Sequence, residues 1–211
     1  MITNETFRWI FWIAGGFIMG GVMFSAILPR LLLQVDVAAM SPDRNPGSSN
    51  VFTFCGIPMG LLCLAADMLK GFLPVFLASQ AVDPSDIWFA AVLAAPVLGH
   101  ALAPLNHFHG GKCIATAFGE MLALLPLTRI VLVLAGLYIL FSAVIRVRPM
   151  RYCSMLTFAL FGIISVIHFL SSGRPSLALG CLLIAMTAVL RHTRYLSHVP
   201  EDEQQDCELH T

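Results

Sequence analysis

Long apolar stretches alternate along this chain with short connectors that hold most of its charged residues. Seven stretches stand out, at about 7–33, 54–79, 87–98, 113–127, 130–145, 153–170 and 176–190. A helix that crosses a bilayer uses about 20 residues, so a length of 211 residues suits about seven crossings with short links. Several stretches are shorter than a full crossing, and tilt, local thinning or burial against neighbours must make up the difference. The pattern predicts an all-α, polytopic integral membrane protein. Residues 1–195 form one transmembrane domain, and 196–211 form a solvated acidic tail with Glu201, Asp202, Glu203, Asp206 and Glu208.

Composition narrows the class. Hydrophobic side chains make up 58% of the chain and charged ones 11%, where a soluble domain carries about 25% charged residues. Too few polar groups exist to cover a water-facing surface, so a soluble enzyme is excluded. A formal net charge of zero gives no basic field for a polyanion, which excludes nucleic acid as a partner. Cys55, Cys63, Cys113, Cys153, Cys181 and Cys207 form no C-x-x-C pair and read as small hydrophobes. The N-terminus lacks a basic n-region, and Trp9 and Trp12 suit an interfacial anchor better than a cleaved signal.

Seven crossings put the termini on opposite sides, and the cations decide which is which. Alternate connectors hold Arg30, Arg44, Lys112, Arg146, Arg148, Arg151, Arg191 and Arg194, against Arg8, Arg129 and Arg174 in the other set. The excess predicts an outside N-terminus and a cytoplasmic C-terminus. Polar residues collect on that same cytoplasmic side. They include 41–50, Gly99-His100, 107–112, Arg151-Tyr152-Cys153-Ser154 and Arg191-His192. One-sided clustering points to a site on this face, and it argues against a transporter, which needs openings at both.

Asn45-Pro46-Gly47-Ser48-Ser49-Asn50 combines turn residues with backbone donors before a helix, a concavity that suits an anion. Gly110-Gly111-Lys112 places two flexible residues and a cation before the fourth run, where a helix N-terminus favours phosphate. Asp67 and Lys70 lie three apart within an apolar run and share a helix face. Buried charges cost on the order of 3 kcal/mol each, so they should pair. They serve either as a structural ion pair locking the second and third spans or as the floor of a polar site. His168 reads as a core or interface residue, and His107 and His109 as solvated. His100 and His192, beside the phosphate-favouring loops, are candidate site residues. No H-E-x-x-H motif or carboxylate cluster suggests a metal.

Taken together, these motifs resemble the PlsY family of bacterial membrane glycerol-3-phosphate acyltransferases. The first-loop pattern Ser-Gly-Asn-x-Gly-x-x-Asn is matched by 43–50, and Asp-x-x-Lys-Gly by Asp67, Lys70 and Gly71. Gly99-His100, Gly110-Gly111-Lys112 with Ala115-Thr116, Arg151-Tyr152-Cys153-Ser154 and Arg191-His192 follow in order. The resemblance implies transfer of a fatty acyl group from acyl phosphate to the 1-hydroxyl of sn-glycerol 3-phosphate. It implies no cofactor or metal, and a place in the bacterial cell membrane. By position it makes Lys112, His100, His192 and Ser154 catalytic. Asn45, Gly47, Ser48, Ser49, Asn50, Gly110, Gly111, Arg151 and Arg191 would bind substrate. Five positions depart from the pattern: Ser-Gly is Asp43-Arg44, an Arg is Thr53, an Asn is Tyr195, and a Lys is His109. A carboxylate at Asp43 would repel phosphate unless Arg44 or another cation pairs with it. A family member with another acceptor, or without turnover, stays open as the alternative.

Overall fold

The structure, a computed structural model, describes residues 4–194. The acidic tail and Tyr195 lie outside the described residues. Every long element among those residues is helical: α1 (Asn4–Gly20), α2 (Phe24–Leu33), α3 (Val37–Met40), α4 (Ser48–Ala81) and α5 (Phe89–Leu102). They continue with α6 (Ile114–Ala123), α7 (Ile130–Ile139), α8 (Met150–Ser171) and α9 (Pro175–Arg194), and a π turn at Leu140–Val144 extends α7. Four helices are long and apolar enough to cross a membrane, and α1 with α2 makes a fifth if counted as one broken span. This is a multi-pass membrane protein. Large apolar side chains such as Leu31, Ile57 and Ile167 remain on the outer surface, as hydrocarbon allows.

Small residues let the helix backbones meet. A Cβ at Gly20 of α1 would stand 2.1 Å from the Pro96 carbonyl oxygen of α5, and one at Gly99 would stand 2.0 Å from the Phe17 carbonyl oxygen. Gly71 of α4 and Gly119 of α6 make the same kind of contact with each other's helices, against Thr116 and Met68. Without a hydrophobic drive between helices in lipid, such close approach is what holds spans together. Leu93, Phe158, Phe161, Phe169 and Ile184 fill the space these contacts enclose.

Three expectations about the runs are corrected. The first run is not one helix: it bends by 44° between α1 and α2, after Gly20 and Gly21 and through the non-helical Met23. The second begins earlier, at Ser48, and at 34 residues spans about 51 Å, more than the ~30 Å of hydrocarbon. Gly56, at φ 81°, breaks its course near the start. Gly99, His100, Ser154, Arg191 and His192 sit inside helix ends and not in connectors.

The break is stitched to α4 by the buried ion pair. Lys70 Nζ lies 2.8 Å from Asp67 Oδ1 and donates to the Val22 carbonyl at 2.5 Å, while the Ser25 hydroxyl donates to Asp67 Oδ2. The pair therefore joins the second run to the interruption in the first, and not to the third. Each buried charge finds partners, and the carbonyl freed by the broken helix finds a donor. Replacing Asp67 by Ala should strand the ammonium and cost about 3–5 kcal/mol, whereas Asp67→Leu with Lys70→Met should recover most of that loss. Thermal unfolding of the three proteins in detergent measures it.

Candidate active site

Three helix beginnings meet at one end of the bundle. The first-turn residues Ser48 and Ser49 of α4, Ile114 and Ala115 of α6, and Met150 and Arg151 of α8 all line one cavity of about 170 Å³. The leading N–H groups of a helix have no acceptor in their own helix, and the aligned peptide dipoles put partial positive charge there. Three such ends around one space form a field for an anion before any side chain is counted. Lys112 and Arg151 add formal charge. Arg151 Nε is buried without a hydrogen-bond partner among the described residues.

The connectors around this cavity are conformationally expensive. Among the described residues, the non-glycine positions with positive φ are Gln34, Arg44, Ala103, His107, Phe108, Cys113 and Arg146. All of them fall on the links that join α2 to α4, α5 to α6, and α7 to α8. Such strain persists only where surrounding contacts dictate it, and it concentrates at sites. The opposite end is tied simply, by Arg8 on the Ala81 carbonyl, Ser176 on Pro84 at 2.6 Å and Arg174 on Leu127 at 3.0 Å.

Most residues singled out in the sequence come together here. Asn45, Gly47, Ser48, Ser49, Asn50, Asp67, His100, Lys112, Arg151, Ser154 and His192 line the cavity. His192 Nδ1 donates to the Ala188 carbonyl at 2.7 Å, which leaves Nε2 of the neutral ring as the acceptor. Ser154 Oγ donates to the Met150 carbonyl at 3.2 Å and lies 3.5 Å from the Tyr138 hydroxyl. His100 is buried, with Nδ1 unpartnered among the described residues.

Gly110, Gly111 and Arg191 are placed differently from expectation: none of them lines the cavity. The Arg191 guanidinium donates to the carbonyls of Gly110 (2.6 Å) and Gly111 (3.2 Å), and the Gly111 N–H is engaged by the His100 carbonyl at 3.2 Å. The Gly-Gly pair thus carries the Arg191 guanidinium on its carbonyls and lies against the His100 ring. Lys70 lies beneath, on Asp67. Sequence reasoning missed Tyr138, whose only signal was one phenol near the end of an apolar run, and missed the start of α8 as a third anion-favouring terminus. It also left the partner of Asp43 open. That partner is Lys112, with Nζ 2.6 Å from Asp43 Oδ2, while Arg44 is exposed.

Residues 10–200 match the family model of glycerol-3-phosphate acyltransferase. The chain belongs to the glycerol-3-phosphate acyltransferase family. Family members similar to it include that of Trichlorobacter lovleyi, 33% identical over 192 residues, or 90% of this chain and 93% of that one. Another, from Thermotoga petrophila, is 32% identical over 202 residues, covering 95% and 97%. Crystal structures of PlsY, an integral membrane glycerol 3-phosphate acyltransferase, share the fold. Its glycerol 3-phosphate form superposes with a TM-score of 0.76 at 23% identity, and its lysophosphatidic acid form with 0.75 at 21%, each covering 90% of both chains.

Within this acyltransferase the Gly-Gly pair leaves no room for a side chain. A Cβ on Gly111 would fall 2.3 Å from His100 Nε2. Gly111→Ala should therefore displace the imidazole and lower acyl transfer by about tenfold or more, since small misplacements of reacting groups are costly. The unfolding temperature in detergent should change little by comparison, and the two measurements together check it.

Proposed function

We propose that this acyltransferase takes its acyl group from acyl phosphate and passes it to the 1-hydroxyl of sn-glycerol 3-phosphate, releasing lysophosphatidate and inorganic phosphate. The convergence of three helix N-termini with Lys112 and Arg151 carries the proposal, because both substrates present phosphate to one site. Acyl phosphate already holds a good leaving group. The hydroxyl oxygen forms the new C–O bond, the acyl carbon–oxygen bond to phosphate breaks, and the departing phosphate takes the hydroxyl proton. Positioning and electrostatics suffice for this step, and no cofactor is required.

In this scheme the first turn of α4, with Asn45, Gly47 and Asn50, cradles phosphate beside Arg151. Lys112 faces both the bound phosphates and the oxyanion that develops on the carbonyl. Ser154, His100 and His192 orient the glycerol backbone or the carbonyl, and Tyr138 steadies Ser154. Gly110, Gly111 and Arg191 hold Lys112 in place. The short helices α6 and α7 complete seven crossings of a bacterial cell membrane, with the N-terminus outside and the site at the cytoplasmic leaflet. The cation asymmetry of the connectors supports that orientation. Residues 196–211 extend the one membrane domain as an acidic tail.

Purified protein should form lysophosphatidate and phosphate from palmitoyl phosphate with glycerol 3-phosphate, and none from palmitoyl-CoA. Lys112→Ala should reduce that product at least about 100-fold, the usual loss for an oxyanion or phosphate donor, while remaining inserted in the membrane. Product from the thioester alone overturns the donor, and near-normal activity of Lys112→Ala overturns the role of the lysine.

A further inference from the structure

Asp43 stands where the family pattern has Ser, and its carboxylate is fully engaged. Oδ1 accepts from the Asn45 N–H at 3.1 Å and from Asn50 Nδ2 at 3.0 Å, and Oδ2 accepts from Lys112 Nζ at 2.6 Å. Asp43 is not among the residues that line the cavity, yet Asn45, Asn50 and Lys112 all are. Burial would raise this carboxyl, but the adjacent ammonium, with the Asn45 and Asn50 donors, holds it below its ordinary range, so it is ionised at neutral pH. The chain therefore carries its own anion against the groups that a substrate phosphate would use. A phosphate entering the cavity meets a neutralised lysine and a carboxylate behind it.

We infer that Asp43 is an affinity-setting residue that weakens the grip of Lys112 and the first loop on phosphate, for the phosphate ester substrate and the released phosphate alike. This rests on the acyl-transfer function proposed above. Asp43 acts through Lys112 and Asn50 and touches no reacting atom. A merely structural Asp43, needed to hold the loop, would have the opposite sign: removing it would loosen the site and weaken binding.

The test uses the full chain in detergent with Asp43→Asn, which keeps an acceptor for Asn45 and Asn50 but drops the charge, and Asp43→Ser, which removes the carboxylate altogether. Loss of the charge should lower the KM for glycerol 3-phosphate, and the inhibition constant of inorganic phosphate, by about fivefold, the worth of one partly exposed ion pair. kcat should move less than KM. Asp43→Glu, which keeps the charge, should lower neither constant. A raised or unchanged KM and inhibition constant in whichever of the two neutral variants retains the parent's unfolding temperature overturns the inference. If the parent protein itself makes no lysophosphatidate, the proposed function fails separately. Equilibrium binding of radiolabelled inorganic phosphate then decides the role of Asp43 by the same comparison: tighter binding in the neutral variants supports it, and equal or weaker binding overturns it.

Discussion

Hydrocarbon offers no partner to an unpaired peptide group, and the interruption between α1 and α2 takes groups such as the Val22 carbonyl out of the helical ladder. Everything about the site's foundation follows from how they are satisfied. Lys70 reaches the Val22 carbonyl, Asp67 takes the Ser25 hydroxyl, and the two charges hold one another at 2.8 Å. Neither half is tolerable alone: an unpaired ammonium at this depth is costly, and so is an orphaned carbonyl. The broken helix and the charged helix thus require each other. Their junction is also where Asp67 enters the cavity lining, so the floor of the site is made by the same contacts that close the bundle.

Above this floor the chemistry is mostly backbone. Helix starts from three parts of the chain supply oriented N–H groups at no cost in formal charge, and the side chains refine what the termini begin. The twisted connectors make this convergence possible. Left-handed residues on each of three links turn the chain sharply enough to bring successive helix beginnings to one spot. Among the described residues, the far end of the bundle has a left-handed turn at Gly173, and its ties include single hydrogen bonds across short loops.

The helical class and its rough boundaries could be read directly, because apolar runs of membrane length leave little choice. The loop motifs could also be read, since glycines, cations and amides at those spacings have few other uses. What escaped was tertiary. Nothing in the run 7–33 announces a 44° bend except Gly20-Gly21, and a glycine pair inside an apolar stretch is just as compatible with a straight helix packed closely on a neighbour. The partner of Asp43 lies 69 residues away, at a distance no local pattern encodes. Arg191 looked like a ligand for phosphate because it is a cation beside a phosphate loop. The structure shows the same charge spent on two carbonyls, a use that depends on how α9 leans against the α5–α6 link.

The backbone break at Gly56 separates the opening turns of α4 from its long intramembrane shaft. One wall of the cup is therefore a short articulated piece, tied by Asp43 to Asn50, while Ser154 and His192 stand on continuous helices and Lys112 on the α5–α6 link. Asp43, Arg44 and Thr53, three of the departures from the family pattern, all precede that articulation. Substitution on that panel leaves the shaft's hydrogen-bond ladder untouched, whereas His109 bears on the α5–α6 link that carries Lys112.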